Sequence, residues 1–170
     1  MVLLVFLNEK DIKSYLLGRK LLDFLKGDFV KIYTRFEDKQ CEKCEIKDTM
    51  KRIREHAEVF DKLAVSFGLR IFPPSAYKEL LNTYRKTDKS LVFLKKLKGS
   101  KTWSIKNDKL IFDNYRLADS GLFIFSSKDI KECKSSNFNS FLKELILKNK
   151  LDYKLIPYWL FTNSARRKQC

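Results

Sequence analysis

The first seven residues place the tightest limit on how this chain can fold. Met1 to Leu7 form an uninterrupted apolar run, and the charged Glu9-Lys10-Asp11 follows almost at once. The run is far shorter than the roughly 20 apolar residues that cross a bilayer, and it lacks the basic segment that opens a signal peptide. It therefore predicts a buried strand in an intracellular protein (cytoplasm or nucleus/nucleoid) with no membrane partner.

The rest of the first half shows two kinds of pattern. Apolar residues recur every three or four positions in its long segments, which is typical of helices, and alternate in the shorter ones, which is typical of strands. The predicted elements are a helix from Asn8 or Glu9 to about Leu25, a strand over Phe29–Phe36, a long helix from about Glu45 to Ser66, a short strand over Leu69–Phe72 and a helix over Ala76–Arg85.

The second half predicts a β-meander followed by one amphipathic helix. Its strands are expected at Leu91–Leu94, Trp103–Ile105, Leu110–Phe112 and Leu122–Phe125, its turns at Lys98-Gly99-Ser100 and Asn107-Asp108, and its helix at Phe138–Lys148. The expected fold class is α/β or α+β, in which strand–helix–strand–long helix precedes a mostly antiparallel sheet and a C-terminal helix. Residues 1–85 would form an α/β lobe and residues 86–170 a basic sheet with its helix, together one compact domain.

The charge is strongly positive and unevenly distributed. The chain has a formal net charge of +15, of which residues 1–85 contribute +4 and residues 86–170 contribute +11. A polyanion relieves such self-repulsion, and nucleic acid does so by releasing counterions. The sequence therefore predicts a nucleic-acid-binding protein, alone or as a subunit of a processing complex. A merely solvated lysine-rich surface, an anionic membrane and an acidic protein partner are the alternatives.

Basic and aromatic residues are interleaved in the predicted meander. Cations can hold phosphates there while aromatic rings stack on bases, although Trp103 could equally belong to the core. The basic C-terminal tail would add weak phosphate contacts. The predicted nucleic-acid contacts are Lys95, Lys96, Lys98, Lys101, Trp103, Lys106, Lys109, Arg116, Arg166, Arg167 and Lys168.

Two aspartates near strand ends are the candidate catalytic residues. Asp113 and Asp119 flank Tyr115-Arg116, and Asp119 precedes a strongly apolar strand. Metal-assisted phosphoryl chemistry uses carboxylates that converge from neighbouring strands. The pair is compatible with a Mg²⁺-dependent nuclease or nucleotidyltransferase, but one or two carboxylates do not define a site, and both aspartates are equally explained as turn formers. Whether the chain is an enzyme stays open at this point.

A Cys-x-x-Cys pair, Cys41 and Cys44, lies between a predicted strand and a predicted helix. The start of a helix lowers the pKa of a thiol, which suits redox chemistry, and two thiolates are half of a Zn²⁺ site. The alternative is two structural cysteines in a charged turn. His56, the single histidine, is a candidate general base or a surface residue of its helix.

Residues 69–163 resemble the family X (polymerase-beta-like) nucleotidyltransferases. The segments that carry the resemblance are Leu69–Pro74, Tyr77–Leu81, Lys98–Lys101, Tyr115–Asp119, Asn137–Leu142 and Tyr153–Phe161. The resemblance implies a palm-like sheet and identifies Asp119 with a metal-binding carboxylate of that family. The family's two aspartates spaced one residue apart have no counterpart here.

Overall fold

The computed structural model describes residues 1–7, 29–34, 44–67, 74–96, 104–107, 109–111 and 117–156. In chain order its elements are β1 (Val2–Leu7), β2 (Phe29–Thr34), α1 (Cys44–Ala57), β3 (Lys62–Phe67), α2 (Pro74–Lys86), β4 (Ser90–Lys96), β5 (Ser104–Lys106), β6 (Lys109–Ile111), β7 (Leu117–Ser126), α3 (Ser127–Glu132), α4 (Phe138–Leu147) and β8 (Leu151–Leu155). No helix in these ranges is long and apolar enough to cross a bilayer.

One six-stranded sheet organises the chain in the order β2-β1-β3-β7-β4-β8. Strand β1 pairs in parallel with β2 and β3, and β4 pairs in parallel with β8. Strand β7 lies between β3 and β4 and is antiparallel to both. Five strands therefore run in one direction and β7 runs in the other, while β5 and β6 form a separate hairpin.

The central strands are buried on both faces, which is why they are apolar without alternation. On one face, Phe123 and Phe125 of β7 pack against Phe138 and Phe141 of α4, with Phe125 and Phe141 ring centroids 5.2 Å apart. Helix α1 covers the same face with Met50 and other apolar residues. The periodic apolar stripe of each helix is the side that packs against this face of the sheet.

Helix α2 is joined to two strands by lysines. Lys62 of β3 donates to the carbonyl oxygens of Tyr84 (2.8 Å) and Thr87 (2.6 Å) at the end of α2. Lys154 of β8 bonds Glu79 and the Thr83 hydroxyl, the latter at 2.9 Å. The aliphatic part of a lysine covers apolar surface while its ammonium group hydrogen-bonds to polar atoms of the helix. These two lysines therefore stabilise the fold and are not expected to bind a ligand.

Asparagine residues make two of the tight turns. Asn149 (φ 55°) ends α4, and the N–H groups of Asn149 and Lys150 donate to the carbonyl oxygens of Ile146 and Leu145, which is a Schellman motif. Asn107 (φ 49°) lies in the two-residue turn that joins β5 to β6. The predicted turn at Asn107 is thereby confirmed, as is the predicted helix over Phe138–Lys148.

The predicted long helix over Glu45–Ser66 is wrong in its second half. Helix α1 ends at Ala57, a turn follows, and Lys62–Phe67 form the central strand β3. Leu63, Ala64, Val65 and Ser66 are all buried, since both faces of β3 are covered. An apolar run of this kind fits a helical stripe and a fully buried strand equally well, and long-range pairing with β1 and β7 decides the outcome.

The expected α/β or α+β class is confirmed, but the predicted mostly antiparallel meander is wrong. In the described six-stranded sheet only β7 is antiparallel to its neighbours, and β5 and β6 pair with each other outside that sheet. The predicted strands over Leu91–Leu94 and Leu122–Phe125 belong to β4 and β7, and they join the same sheet as β1 and β3. The sequence analysis missed α3 and β8, both of which are short. The helix predicted from residue 8 to 25 and the strand predicted over Leu69–Phe72 lie outside the described residues.

The turn between α3 and α4 is held from two sides. Nη2 of Arg54 donates to the carbonyl oxygens of Cys133 (3.1 Å) and Ser135 (2.6 Å). Glu144 accepts from Lys148 Nζ (2.6 Å) and from Ser135 Oγ (2.6 Å).

These hydrogen bonds, of which the one from Lys148 has the largest effect, lower the pKa of Glu144 to about 2. Burial, together with the nearby Glu144 carboxylate, raises the pKa of the Cys133 thiol to about 11.

Glu144→Gln is expected to reduce stability near pH 6 and to have almost no effect near pH 2. The pKa of Glu144, about 2 in the folded chain, lies below the value of about 4.3 for an unfolded glutamate. Its ionised form therefore stabilises the fold above pH ~4.5, and this contribution is lost as the pH falls through ~2. Urea unfolding of both chains at several pH values measures the difference. A difference that stays constant with pH would contradict this assignment.

Candidate functional site

Five parallel strands end at one edge of the sheet, here called the carboxyl edge. Strands β1, β2, β3, β4 and β8 finish there, and the antiparallel β7 begins there. Open sheets with parallel strands bind their ligands at this edge, because the loops that follow the strands converge there. The order of the strands also reverses at β1, which has β2 on one side and β3 on the other. This edge is therefore the candidate functional site.

Three of the predicted site residues lie together at the carboxyl edge. Asp119 is near the start of β7, where it is paired in register with Leu94 of β4. Lys95 and Lys96 end β4 and are paired with Ala118 and Leu117, the neighbours of Asp119. The backbone thus brings one predicted catalytic carboxylate and two predicted phosphate-binding lysines to adjacent positions.

A bulge in β7 sets the position of Asp119. Val92 pairs with Phe123, but two residues later Leu94 pairs with Asp119, so β7 contains two more residues than β4 over this stretch. Bulges of this kind bend a strand and change where its side chains are placed, and they are common beside active sites. The extra residues bring Asp119, rather than Gly121, opposite Leu94.

Gly121 makes the bulge possible. Its φ is +78°, which side-chain-bearing residues rarely adopt, and a Cβ there would lie 2.8 Å from the carbonyl oxygen of Phe67. Next to it, the hydroxyl of the buried Ser120 accepts a hydrogen bond from the Leu122 N–H at 3.1 Å. Only glycine combines this conformation with so close an approach of two backbones.

An aromatic cluster supports the bulge from within the core. The Phe67 ring lies 4.5 Å from that of Phe138 and 5.4 Å from that of Phe6, measured between centroids. Phe123, at the inner end of the bulge, is 5.8 Å from Phe67 in an edge-on arrangement. Such packing fixes the rotamers on both strands, so the carboxyl edge rests on a rigid base.

A Mg²⁺ ion would find few protein ligands among the described residues. No group of three or more His, Cys, Asp or Glu residues converges within the described ranges. Mg²⁺ is usually held by one or two carboxylates together with waters and substrate phosphates. The backbone places one such residue type, Asp119, at the carboxyl edge, and Asp113, the other predicted catalytic residue, lies outside the described residues. A single aspartate is compatible with Mg²⁺ only where substrate phosphates and waters supply the other ligands.

The predicted basic surface does not form one patch in the described structure. Lys106 and Lys109 flank the β5–β6 turn, and Lys109 lines a cleft together with Lys89 and Leu151, which lie at the amino ends of β4 and β8. With a rise of about 3.3 Å per residue, β4 separates this end from Lys96 by roughly 20 Å. The remaining predicted contacts, Lys98, Lys101, Trp103, Arg116, Arg166, Arg167 and Lys168, lie outside the described residues.

The histidine candidate lies away from the carboxyl edge, and the cysteine pair is described only at Cys44. Cys44 is the first residue of α1, and Cys41 lies outside the described residues, so the Zn²⁺ and redox hypotheses stay predictions. His56 is in the last turn of α1, with its ring centroid 6.3 Å from that of Phe60. Because α1 leads into the start of β3, His56 lies toward the amino edge, away from Asp119.

The sequence analysis missed a polar network at the amino ends of the strands. The Ser90 hydroxyl donates to Asp129 at 2.6 Å and accepts from the Ser126 N–H at 3.1 Å. Lys150 lies 3.3 Å from the other Asp129 oxygen and also bonds Glu132. These contacts join α3 to β4 and β7, and no local sequence signal could have indicated them, because the partners are far apart in the chain.

Comparison with known proteins gives a fold but no family. Neither a protein-family model nor a curated protein sequence matches this chain. A putative glucose-1-phosphate thymidylyltransferase from Bacillus anthracis is similar in structure, with a TM-score of 0.51 and 12% identity over 91% of this chain and 67% of that one. HddC from Yersinia pseudotuberculosis gives a TM-score of 0.49 and 14% identity over 91% of this chain and 69% of that one.

A third solved structure, 4-diphosphocytidyl-2C-methyl-D-erythritol synthase from Anaerococcus prevotii, has a TM-score of 0.47 and 10% identity over 92% of this chain and 90% of that one. The resemblance to nucleotidyltransferases therefore holds at a coarse level, through the thymidylyltransferase, and its narrower assignment to family X is not supported. At such low identity the likeness concerns the fold alone: this chain has the mixed α/β fold of that thymidylyltransferase.

Proposed function

We propose that this chain is a metal-dependent nucleotidyltransferase whose site is the carboxyl edge of the sheet. The observation that carries the proposal is the placement of Asp119, Lys95 and Lys96 at that edge of a sheet shared with a thymidylyltransferase. In the proposed reaction, an oxygen of the acceptor attacks the α-phosphorus of a nucleoside triphosphate; this is a phosphate oxygen of a sugar 1-phosphate, or the 3′-hydroxyl oxygen of an oligonucleotide, which gives up its proton to solvent. The bond from that phosphorus to the bridging oxygen breaks, and pyrophosphate leaves.

The three residues divide two roles between them in this proposal. Asp119 would hold Mg²⁺, which supplies neutralising charge to the phosphates when bound. Lys95 and Lys96 would bind phosphate oxygens as point charges and offset the charge that develops on departing pyrophosphate. Phosphoryl transfer needs mostly positioning and electrostatic stabilisation, so a site without a nucleophilic side chain is sufficient.

The test is release of pyrophosphate from a panel of nucleoside triphosphates with Mg²⁺ and a phosphorylated acceptor. Sugar 1-phosphates form one arm of the panel and single-stranded oligonucleotides the other. Pyrophosphate that appears only when triphosphate, acceptor and Mg²⁺ are all present supports the proposal. A folded chain that releases none with any pair, at concentrations that saturate nucleotide binding, would contradict it.

Nucleic-acid binding is kept as a second proposal because residues 86–170 carry a net charge of +11. If the partner has a phosphate backbone, the binding affinity is expected to fall steeply as the salt concentration rises from ~50 to ~300 mM, because binding releases counterions. Equilibrium binding of single- and double-stranded oligonucleotides measures this slope. An affinity that does not depend on salt would exclude the polyanion.

A further inference from the structure

A cleft of about 600 Å³ opens at the amino edge of the sheet, opposite the carboxyl edge. We call it the amino-edge cleft. The β5–β6 hairpin contributes Asn107 and Lys109 to one wall, the start of α3 contributes Lys128, and the turn before β8 contributes Asn149. Its volume falls within the range of small-molecule sites, about 300 to 1,000 Å³.

The acidic residues of the cleft already have cationic partners. Three carboxylates line it, and each lies within 4 Å of a lysine ammonium group. The pairs are Asp88 with Lys62 (3.4 Å), Asp129 with Lys150 (3.3 Å) and Asp152 with Lys89 (3.9 Å). Asp129 is the least exposed of the three and is closely paired, whereas the ion pairs of the exposed Asp88 and Asp152 are weak and leave these carboxylates with most of their charge.

Two lysines in the wall carry uncompensated charge. Within the ranges that the structure covers, Lys109 and Lys128 make no ion pair closer than 4 Å, and both are exposed. Lys128 interacts with Glu132 only by longer-range electrostatic attraction, and the Glu132 carboxylate is already bonded to Lys150. Lys109 and Lys128 therefore each add a positive charge to the lining of the cleft, which favours an anion beside them.

We propose that the amino-edge cleft binds a small phosphorylated ligand beside Lys109 and Lys128. The side-chain amides of Asn107 and Asn149 and the hydroxyl of Tyr153, which also line the cleft, would bind the rest of the ligand. A compact ligand fits better than a nucleic-acid strand, because Asp88 and Asp152 also line the cleft and would repel further phosphates. This site is separate from the carboxyl edge and independent of the proposed transfer reaction.

Titration of the isotope-labelled protein with inorganic phosphate and with pyrophosphate tests the proposal by NMR. The backbone amides of Asn107 and Asn149 are expected to shift in a saturable manner. Lys109→Gln/Lys128→Gln is expected to weaken this binding about tenfold or more, because charge-assisted contacts are lost. The matched control, Lys86→Gln/Lys134→Gln, removes the same two charges from exposed lysines that do not line the cleft. It is expected to change the affinity less than about twofold.

Three results would overturn the proposal: no shift at Asn107 or Asn149, equal loss of affinity in both double variants, or much tighter binding of oligo(dT) to the cleft than of pyrophosphate. Tighter binding of oligo(dT) would indicate that the cleft binds a nucleic-acid backbone and not a small phosphorylated ligand. Because the readout is at the amino edge and does not use turnover, it is distinguishable from failure of the proposed transferase. Pyrophosphate release that is absent in the wild type would leave these shifts unaffected.

Discussion

Asp119→Asn is expected to lower nucleotidyl transfer by about 100-fold or more while the fold is kept. The substitution removes one carboxylate charge from residue 119, whose backbone the β7 bulge pairs with Leu94 at the carboxyl edge. Metal-assisted stabilisation of a phosphoryl transition state is worth several kcal/mol, and each ~1.4 kcal/mol is tenfold in rate. Initial rates of pyrophosphate release, measured over a range of Mg²⁺ concentrations, give the effect.

A matched control separates the loss of this carboxylate from a general change in charge. Asp61→Asn makes the same chemical change at an exposed residue of the turn before β3, toward the amino edge. It is expected to retain full activity. Equal rates for wild type and Asp119→Asn would remove Asp119 from the site. Equal losses in both variants would indicate that overall charge, rather than one carboxylate, governs the rate.

Gly121→Ala is expected to cost about 2 to 4 kcal/mol of stability, combining backbone strain of about 1 to 3 kcal/mol with a steric clash. The added methyl group would lie 2.8 Å from the main-chain oxygen of Phe67, and φ at this residue is +78°. The contact is with backbone in the middle of the sheet, so it cannot be relieved by rotating a side chain. Urea unfolding followed by circular dichroism measures the loss.

Gly121→Asn distinguishes the two causes of that loss. Asparagine tolerates positive φ better than alanine does, yet it has the same Cβ and therefore the same contact with Phe67. If the contact dominates, both variants are destabilised similarly; if conformation dominates, asparagine recovers part of the stability. Wild-type stability in Gly121→Ala would mean that β7 has no tight bulge at this position.

The sequence predicted elements where local pattern and tertiary environment agree. The apolar run at Val2–Leu7 and the stripe over Phe138–Leu147 form as expected, because each has a length and period that fits one structure. The pattern over Lys62–Phe67 fits two structures, and the strand wins because β1 and β7 satisfy its backbone on both sides. No local sequence signal indicates that β1 and β7 will pair with this segment.

The candidate site was predictable in its residue types but not in its geometry. Asp119, Lys95 and Lys96 were identified as chemistry-bearing residues from their charges and their positions near strands. Their adjacency depends on β7 being placed antiparallel beside β4, a pairing between distant parts of the chain. The same topology separates Lys96 from Lys109, which the sequence alone had grouped on one surface.

The position of β7 also determines when the sheet can be completed during synthesis. Strands β3 and β4 leave the ribosome well before β7, yet β7 lies between them. Until β7 arrives, each has an open edge, and unpaired edges are the usual starting point for wrong pairing and aggregation. Because these pairings are long-range, the final sheet is expected to form late in folding, after residue 126 has been synthesised.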